Sequence, residues 1–474
     1  VAKTVAKQVV KVKSLLSGLI ALLFTSGSLL AAETRTIVAD PTLSAGPIHR
    51  LLLGADYRDL TFGLAFQGAD GKSYTFRSLV KEQAQNLHES LRGHAIADIF
   101  QDQQASLHPA ATSMVPPLAE AAGVLFNTPR LVMLPDDPAL GEFRELYANR
   151  VGTIEEFPTA ASDEYAGFYG ATEIIKSFDI VTQWLESPDV RVDARELLRL
   201  RLFDFYLGDW DRHANNHRWA KLPGKSQWQP IPEDRDQAFV DFQGFLPWLV
   251  RPFEPRLLQF RKDYPGSFGL TTQGWPIHRW FLAELDRSDW IEMANELSNR
   301  ITDDVIDEAV SLMPEEYKKL SAAKLAGILK ARRDKLPEIA ERIYRFMSTE
   351  VDVQATNESE RFELRNLGNG QLEVSVARDN GDAPYFKRQL SAKDTKSVRV
   401  YLGGGQNTLV CHDLNRSPID IDIIGSAAND AFQGCERADL RFSETEEIEK
   451  RKTELRIAPN PADKIGLPSL NVPP

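Results

Sequence analysis

Apolar residues recur along this chain with three different rhythms, and each holds over a long stretch. Between 39 and 158 they come in short runs. Residues 60–66 and 73–79 read as strands around the turn-rich Gln67-Gly68-Ala69-Asp70-Gly71, 95–104 as a helix, and 130–134 and 151–157 as two further strands. From 161 to 347 the spacing lengthens to three and four residues. Residues 305–312, 317–333 and 336–346 place apolar side chains on one face and charges on the other, as amphipathic helices do. Residues 193–207 read as one more helix, with Asp193 and Glu196 at capping-box spacing and Leu197, Leu200 and Leu207 on its buried side. After 351 the rhythm becomes alternation: Phe362-Leu364, Leu372-Val374-Val376, Val398-Val400-Leu402 and Ile419-Ile421-Ile423 are period-two strands. Two Gly-rich turns, 402–409 and 424–432, are degenerate copies of one Gly-Gly-x-Gly-x-Asp turn, about 22 residues apart. That is the length of one coil in a β-solenoid. Calcium-binding versions of the turn use Asp where this chain has Asn407 and Asn429, so no calcium is assigned and a structural or adhesive role is expected. The tail after 446 is charged and then Pro-rich, which predicts disorder.

One polar interruption of the helical region carries most of the chemistry. It runs from Leu207 to Phe239 as LGDWDRHANNHRWAKLPGKSQWQPIPEDRDQAF. Asp211 is followed five residues later by Asn216, and Asp234-Arg235-Asp236 closes the segment. Phosphoryl transfer needs a carboxylate at the attacking hydroxyl, and oxygen ligands that hold Mg²⁺ against nucleotide phosphates. Strand-like runs flank the turn Pro223-Gly224-Lys225-Ser226. Folding the chain there pairs positions whose numbers sum to about 449 or 450, which brings Asn216 opposite Asp234. Trp210, Trp219 and Trp228 are expected in the core beneath this hairpin, and Trp248, Trp275, Trp280 and Trp290 in the core of the helical region.

Helix, polar loop, hairpin and acidic turn, in that order, resemble the atypical secreted protein-kinase-like families: the spore-coat kinases, the Golgi casein-type kinases and, more distantly, the toxin–antitoxin serine kinases. Asp211-Arg212-His213 is similar to their Asp-Arg-His catalytic segment, and Asn216 to their metal-ligating residue five positions on. Asp234-Arg235-Asp236-Gln237-Ala238-Phe239 resembles the spore-coat Asp-x-Asp-x-x-Phe form. It is also similar to bacterial envelope proteins with a Pro-Arg-Asp-Arg-Asp stretch, with Glu233 standing where that first Arg would be. The resemblance implies an α/β, two-lobe, kinase-like fold, and the alternation after 351 adds a C-terminal all-β, solenoid-like domain. By the same resemblance Asp211 would position and deprotonate the acceptor hydroxyl, with His213 orienting the catalytic loop. Asn216 and Asp234 would hold Mg²⁺ or Mn²⁺. Asp236 would bind a second metal ion or pair with Arg235 or Arg212. ATP or another nucleotide would be steadied by Arg77 or Lys81, with Asp102 or Gln103 as the partner of that cation and Glu156, in 155–158, beside the adenine. The chain departs from the usual pattern in lacking a G-x-G-x-x-G loop, so Gly68 and Gly71 would have to cover the phosphates.

Two rival readings fit parts of the same segment. His213 and His217 stand four apart, as a metal pair on a helix would, although His-Ala-Asn-Asn-His lacks the Glu a zincin needs. With Asp209, Asp211, Asp234 and Asp236 they suggest a two-metal phosphoesterase. The second rival is a pseudokinase scaffold or adhesion protein of the cell envelope. The basic run 330–335 is read as a solvated helix face.

The N-terminus bears on compartment. Lys3, Lys7, Lys11 and Lys13 precede an apolar run over 15–30, and Ala31-Ala32 precede the first acidic residue, Glu33. This is the layout of a signal peptide covering 1–32, so export to a periplasm or cell surface is expected, with no membrane insertion after cleavage. Removing those four lysines lowers the formal net charge from −12 to −16, which disfavours nucleic acid as a partner, while the resemblance implies a protein or envelope component as the substrate. Cys411 and Cys435 are the only cysteines, and in stacked coils they would lie close enough to form a disulfide. The organisation expected is a sheet lobe over 33–160, a helical lobe over 161–350, a β domain over 351–446 and a tail over 447–474.

Overall fold

The computed structural model describes residues 54–56, 63–68, 70–78, 108, 111–243, 248, 251, 255–381, 383–425, 430–435 and 439–442. The expected signal peptide, the helix over 95–104, Lys81, Asp102, Gln103 and the tail over 447–474 lie outside the described residues. No described helix is long and apolar enough to cross a membrane.

The first lobe is a five-stranded antiparallel sheet. Its elements are β1 (Gly54–Asp56), β2 (Gly63–Gln67), β3 (Ser73–Ser78), then α1 (Ala111–Ala122), whose buried face packs into the core of the helical lobe, β4 (Arg130–Met133), α2 (Arg144–Tyr147) and β5 (Val151–Glu156), and the strand order is β1-β2-β3-β5-β4. The turn between β2 and β3 is closed by Gly68 N–H donating to the Lys72 carbonyl at 2.6 Å, and Gly71 takes φ +76° there. Alternation then sorts the side chains. Leu64, Phe66 and Phe76 pack on Leu140, Phe143 and Tyr147. Arg77, Thr153 and Glu155 fall on the opposite face, because Arg77 pairs with Thr153 and Thr75 with Glu155.

In the second lobe, β6 (Glu173–Lys176), α3 (Ser177–Glu186) and α4 (Ala194–Leu207) lead to the hairpin β7 (His217–Lys221) and β8 (Gln229–Pro232). The sheet order is β6-β7-β8. Around them stand α5 (Ser267–Thr271), α6 (Trp275–Phe281), α7 (Arg287–Arg300), α8 (Asp303–Ser311), α9 (Glu315–Asp334) and α10 (Leu336–Ser348). Helix α4 begins where Asp193 accepts a hydrogen bond from Glu196 N–H at 3.0 Å. It is buried on every side, not on one side as its leucines suggested: Leu198, Leu202, Phe203 and Phe205 are as enclosed as Leu197 and Leu200. That is possible because its arginines find partners inside the protein, Arg199 with Glu296 at 2.7 Å and Arg201 with Asp204 at 2.5 Å. Trp210, Trp219, Trp228 and Trp290 are in the core, and Trp275 and Trp280 are half-buried. Trp248 departs from expectation, at 63 % exposure.

The third part confirms alternation and shows coils. It comprises β9 (Glu350–Gln354), β10 (Glu360–Gly368), β11 (Gln371–Arg378), β12 (Phe386–Ser391), β13 (Ser397–Tyr401), β14 (Thr408–His412), β15 (Asp420–Gly425), β16 (Ala431–Gln433) and β17 (Asp439–Phe442). Two parallel ladders, β9-β13-β15-β17 and β10-β14-β16, stack as in a solenoid. Ser397 faces Asp420 and Thr408 faces Ala431, a step of 23 residues. The first step is 47, Glu350 to Ser397, because the antiparallel hairpin β11–β12 is inserted into that coil. Asn407 explains itself here. Its side chain donates to the carbonyls of Leu402 at 3.0 Å and Gly404 at 2.8 Å and accepts from Glu360 N–H at 3.0 Å, so it ties neighbouring coils together.

Cys411 and Cys435 form the expected disulfide across adjacent coils, with Cα atoms 5.0 Å apart. Closing a loop of 24 residues removes unfolded-state entropy worth about 3 kcal/mol. Cys435→Ser should lower the stability of the solenoid by about that amount in chemical denaturation. Alkylation of the unreduced, denatured protein should count no free thiol, and two labelled thiols would refute the bridge.

The solenoid is seated on the helical lobe. Arg388, on β12, donates to the Ala283 carbonyl at 2.5 Å and to Ser348 Oγ at 3.0 Å, and Arg279 pairs with Asp352 at 2.6 Å. The Asn357 N–H donates to the Leu185 carbonyl at 2.8 Å.

Candidate active site

The catalytic-like loop starts where α4 stops. Gly208 closes the helix at φ +71°, a conformation in which a side chain would be strained, and its Cβ would meet Phe260 at 2.9 Å. The last carbonyls of the helix are taken by a residue more than a hundred positions away. Arg332 donates to Tyr206 O at 2.8 Å and Phe205 O at 2.5 Å, sandwiched by Phe260 and Tyr264 at 4.6 and 4.0 Å. A cation at the negative end of a helix is favourable, and here it is also hydrogen-bonded. The basic run 330–335 is therefore not simply a solvated face. Lys330 and Arg333 pair with Asp303 near the surface, while Arg332 is fully buried.

Beneath the loop lies a buried ion network. Arg212 contacts Asp204 at 3.2 Å and also pairs with Asp209. Arg235 reaches Asp204 at 2.6 Å and Asp209 at 3.5 Å. Burial alone would raise both aspartates. The charges of Arg212, Arg235 and Arg201 outweigh it at Asp204, which stays below the usual carboxylate range, whereas burial pushes Asp209 up to about 6. Arg212 also donates to the carbonyls of Asn216 at 3.1 Å and Asp234 at 3.4 Å and to that of Glu233. One guanidinium thus ties the loop after α4 to the acidic turn after β8.

The hairpin pairs positions that sum to 449, one of the two expected registers. His217 pairs with Pro232, and Glu233 N–H donates to the Asn216 carbonyl at 3.0 Å, so Glu233 is opposite Asn216 and Asp234 follows immediately. Both still meet at the same end. Asn216 Nδ2 donates to the Asp211 carbonyl at 2.8 Å, which leaves Oδ1 as the end of the amide that can face a cation. Asp234 adopts φ +49°, and its Oδ2 is 3.1 Å from Arg77 Nη1. Arg77 Nε is 3.3 Å from Glu155 Oε1. The sheet lobe and the acidic turn therefore meet through Arg77. Asp236 N–H contacts Asp234 Oδ1 at 3.4 Å, and its own Oδ1 accepts from Gln237. Arg212 and Arg235 reach Asp204 and Asp209 in this arrangement.

Asp211 is raised above its ordinary value by burial, opposed by His213 and reinforced by Asp236 and Asp234. His213 Nε2 stands 3.8 Å from Asp211 Oδ1, while its Nδ1 accepts from Asn215 N–H at 3.1 Å. That contact caps the short turn over residues 214–216. His217 does something else: it is 1 % exposed, stacks on Trp219 and makes a 3.0 Å hydrogen bond with the His213 carbonyl. Burial lowers it to about 3, so it is a neutral core residue.

Glu156 has other partners in this structure. Its carboxylate takes Lys72 at 2.7 Å and the Tyr165 hydroxyl, and its carbonyl accepts from Asn127 at 3.2 Å. Its neighbour Glu155 is the residue turned toward the acidic turn, and burial pushes it up to about 7, against Arg77 and with help from Asp234.

Among the described residues no three His, Cys, Asp or Glu side chains gather as a metal cluster. The donor set at the hairpin end, Asn216, Asp234 and Asp236 with Asp211 beside them, is all oxygen, which suits Mg²⁺ or Mn²⁺. A nucleotide-bound Mg²⁺ brings phosphate and water ligands and needs only one or two carboxylates from protein. The residues present fit that demand.

No protein-family model matches the chain. No curated protein matches it. Among solved structures it is similar to the proinflammatory kinase CtkA of Helicobacter pylori, at 12% identity and TM-score 0.33, over 59% of this chain and 93% of that one. It is similar to HipA of the Shewanella oneidensis MR-1 toxin–antitoxin system, solved with HipB and operator DNA, at 13% identity and TM-score 0.31, over 67% of this chain and 75% of that one. It is also similar to a Golgi casein kinase, at 11% identity and TM-score 0.28, over 69% of this chain and 76% of that one. Scores this low decide nothing by themselves.

Proposed function

We propose that this chain is a metal-dependent phosphotransferase that moves a phosphoryl group from a nucleotide to a hydroxyl of a protein or envelope component. The observation that carries the reading is convergence. Arg77 on β3, Asp211 and Asn216 after α4, and Asp234 after β8 come from separate elements and gather around the acidic turn, tied by the Arg77–Asp234, Asn216–Asp211 and Arg212 contacts. A bound divalent cation would neutralise phosphate charge, and Asn216 and Asp234, with Asp236, are the residues that would hold it. Asp211 orients the acceptor hydroxyl and takes its proton as the oxygen bonds to phosphorus and the nucleoside diphosphate leaves. Its raised pKa makes it a better base than a solvated aspartate. Arg77 turns from Asp234 to the phosphate oxygens when nucleotide enters. The disulfide supports an oxidising compartment, and with it export.

A second reading, the non-catalytic scaffold, is favoured by one observation: Asp234 is already paired with Arg77. Titration by calorimetry and thermal shift with ATP and Mg²⁺ or Mn²⁺ separates the two. The phosphotransferase should be stabilised only when both are present, by about 2.7 kcal/mol at a hundred times the dissociation constant. A response to metal alone points to the phosphoesterase, and no response to the scaffold.

A further inference from the structure

Where the β-solenoid sits on the helical lobe there is a second cleft, separate from the acidic turn. Its walls include Trp184, Trp280, Phe281, Tyr385 and Phe386, and it encloses about 30 Å³. At its base is Arg191, three residues before the first turn of α4. Its backbone carbonyl accepts from Trp228 N–H at 2.8 Å, which pins the residue beside the hairpin. Its guanidinium lies 3.8 Å from the Tyr385 ring centre and 5.9 Å from that of Trp184.

The side chain is incompletely satisfied. Nε and Nη2 are both buried, and neither has a hydrogen-bond partner among the described residues. These two N–H groups form one edge of the guanidinium, the fork that matches two oxygens of a planar anion. The charges of Glu360 and Glu284 and the Tyr385 hydroxyl act on Arg191, yet no oxygen takes its Nε–H or Nη2–H, and a buried donor left unmade is costly. Asp352 is engaged by Arg279 and Arg399 at 2.6 and 2.8 Å. Burial pushes Glu284 up to about 7, so it neutralises Arg191 only in part. Tyr385 donates its hydroxyl to Glu360.

We propose that this interlobe cleft binds a small organic carboxylate, whose two oxygens take the Nε–H and Nη2–H of Arg191 while its apolar body lies along Trp280 and Phe386. The cleft has room for about two waters, which a flat carboxylate can replace. The apolar body is set by the walls, which are aromatic, half-exposed at Trp280 and Phe386, and therefore reachable from solvent. The assignment is independent of the phosphotransferase reading and stands if that reading fails.

The test uses the full chain with benzoate, 3-phenylpropionate, acetate and inorganic phosphate as probes, followed by calorimetry and thermal shift. Benzoate or phenylpropionate should bind saturably, more tightly than acetate and more tightly than phosphate. Arg191→Lys keeps the charge but loses the fork, and should weaken aromatic carboxylates about tenfold or more. Glu284→Gln removes a competing carboxylate and should strengthen them. Phe386→Ser, on an edge strand, provides a check should Arg191→Lys fail to fold, and it should abolish the preference for benzoate over acetate. No saturable binding to the wild type and to Glu284→Gln would overturn the proposal. So would phosphate binding as tightly as benzoate, or Arg191→Lys binding as the wild type does.

Discussion

Arg212→Ala should cost about 3–5 kcal/mol of stability and leave the protein largely unfolded near its working temperature. The reason lies in what remains after the guanidinium is gone. Asp204 and Asp209 are both fully enclosed, and Arg212 contacts each of them. Arg201 and Arg235 stay behind for Asp204, but Asp209 keeps only the 3.5 Å contact with Arg235. Asp209 would take up a proton or carry an uncompensated charge, and both are destabilising. The carbonyls of Asn216, Glu233 and Asp234 would lose a shared donor in the same step. Chemical denaturation of Arg212→Ala beside Arg212→Lys and Arg144→Ala measures this. Arg144 pairs with Asp136 on the surface, so its removal should leave the midpoint almost unchanged. Lysine keeps the charge but offers no fork and should fall between. An Arg212→Ala protein as stable as the Arg144→Ala control would mean that the network does not hold the loop.

That network was invisible in the sequence, and the reason is physical. Arg201, Asp204, Arg212 and Arg235 look like surface charges until one knows that α4 is enclosed on all sides. Periodicity finds a helix by its contrast between faces, and a central helix whose arginines are paired internally shows little contrast. Arg332 was hidden in the same way, inside a basic run whose other members are near the surface. Helix α1 has apolar residues at Ala111, Met114, Val115, Leu118 and Ala122, a legible face, but Pro116 and Pro117 read as a break. By contrast, strands and turns that depend on local alternation and glycine were legible: β2, β3, β4 and β5, the hairpin about Gly224, and the coil repeat that brings Cys411 to Cys435. Asp211, Asn216 and Asp234 were singled out by order and spacing, and the hairpin brings the last two to the same end. Glu155 was passed over for Glu156, although strand parity distinguishes them. Once β3 and β5 pair as they do, Glu155 shares the face of Arg77 and Glu156 does not.

Asp211→Asn should lower turnover by about 10²–10⁴ while leaving metal-dependent nucleotide binding near the wild-type value. Asp234→Asn should instead weaken that binding directly, since it removes a charged oxygen from the set that would hold the cation. The structure keeps the backbone intact in both substitutions, although Asp234→Asn also weakens the Arg77 contact. Asn216 is held by the main-chain carbonyl of Asp211, not by its carboxylate, so the loop keeps its hydrogen bond when the side chain changes. Asp234 sits at φ +49°, a conformation Asn tolerates and most residues do not, so Asn is a better probe there than Ala. The two phenotypes should separate because one carboxylate serves the ground-state complex and the other only the reacting hydroxyl. A phosphoesterase using both aspartates as metal ligands would lose metal affinity in both variants. A scaffold would show no turnover to lose and no change in binding. Equal loss of metal affinity in the two, with native circular dichroism, would remove Asp211 from the role of base and make it a ligand.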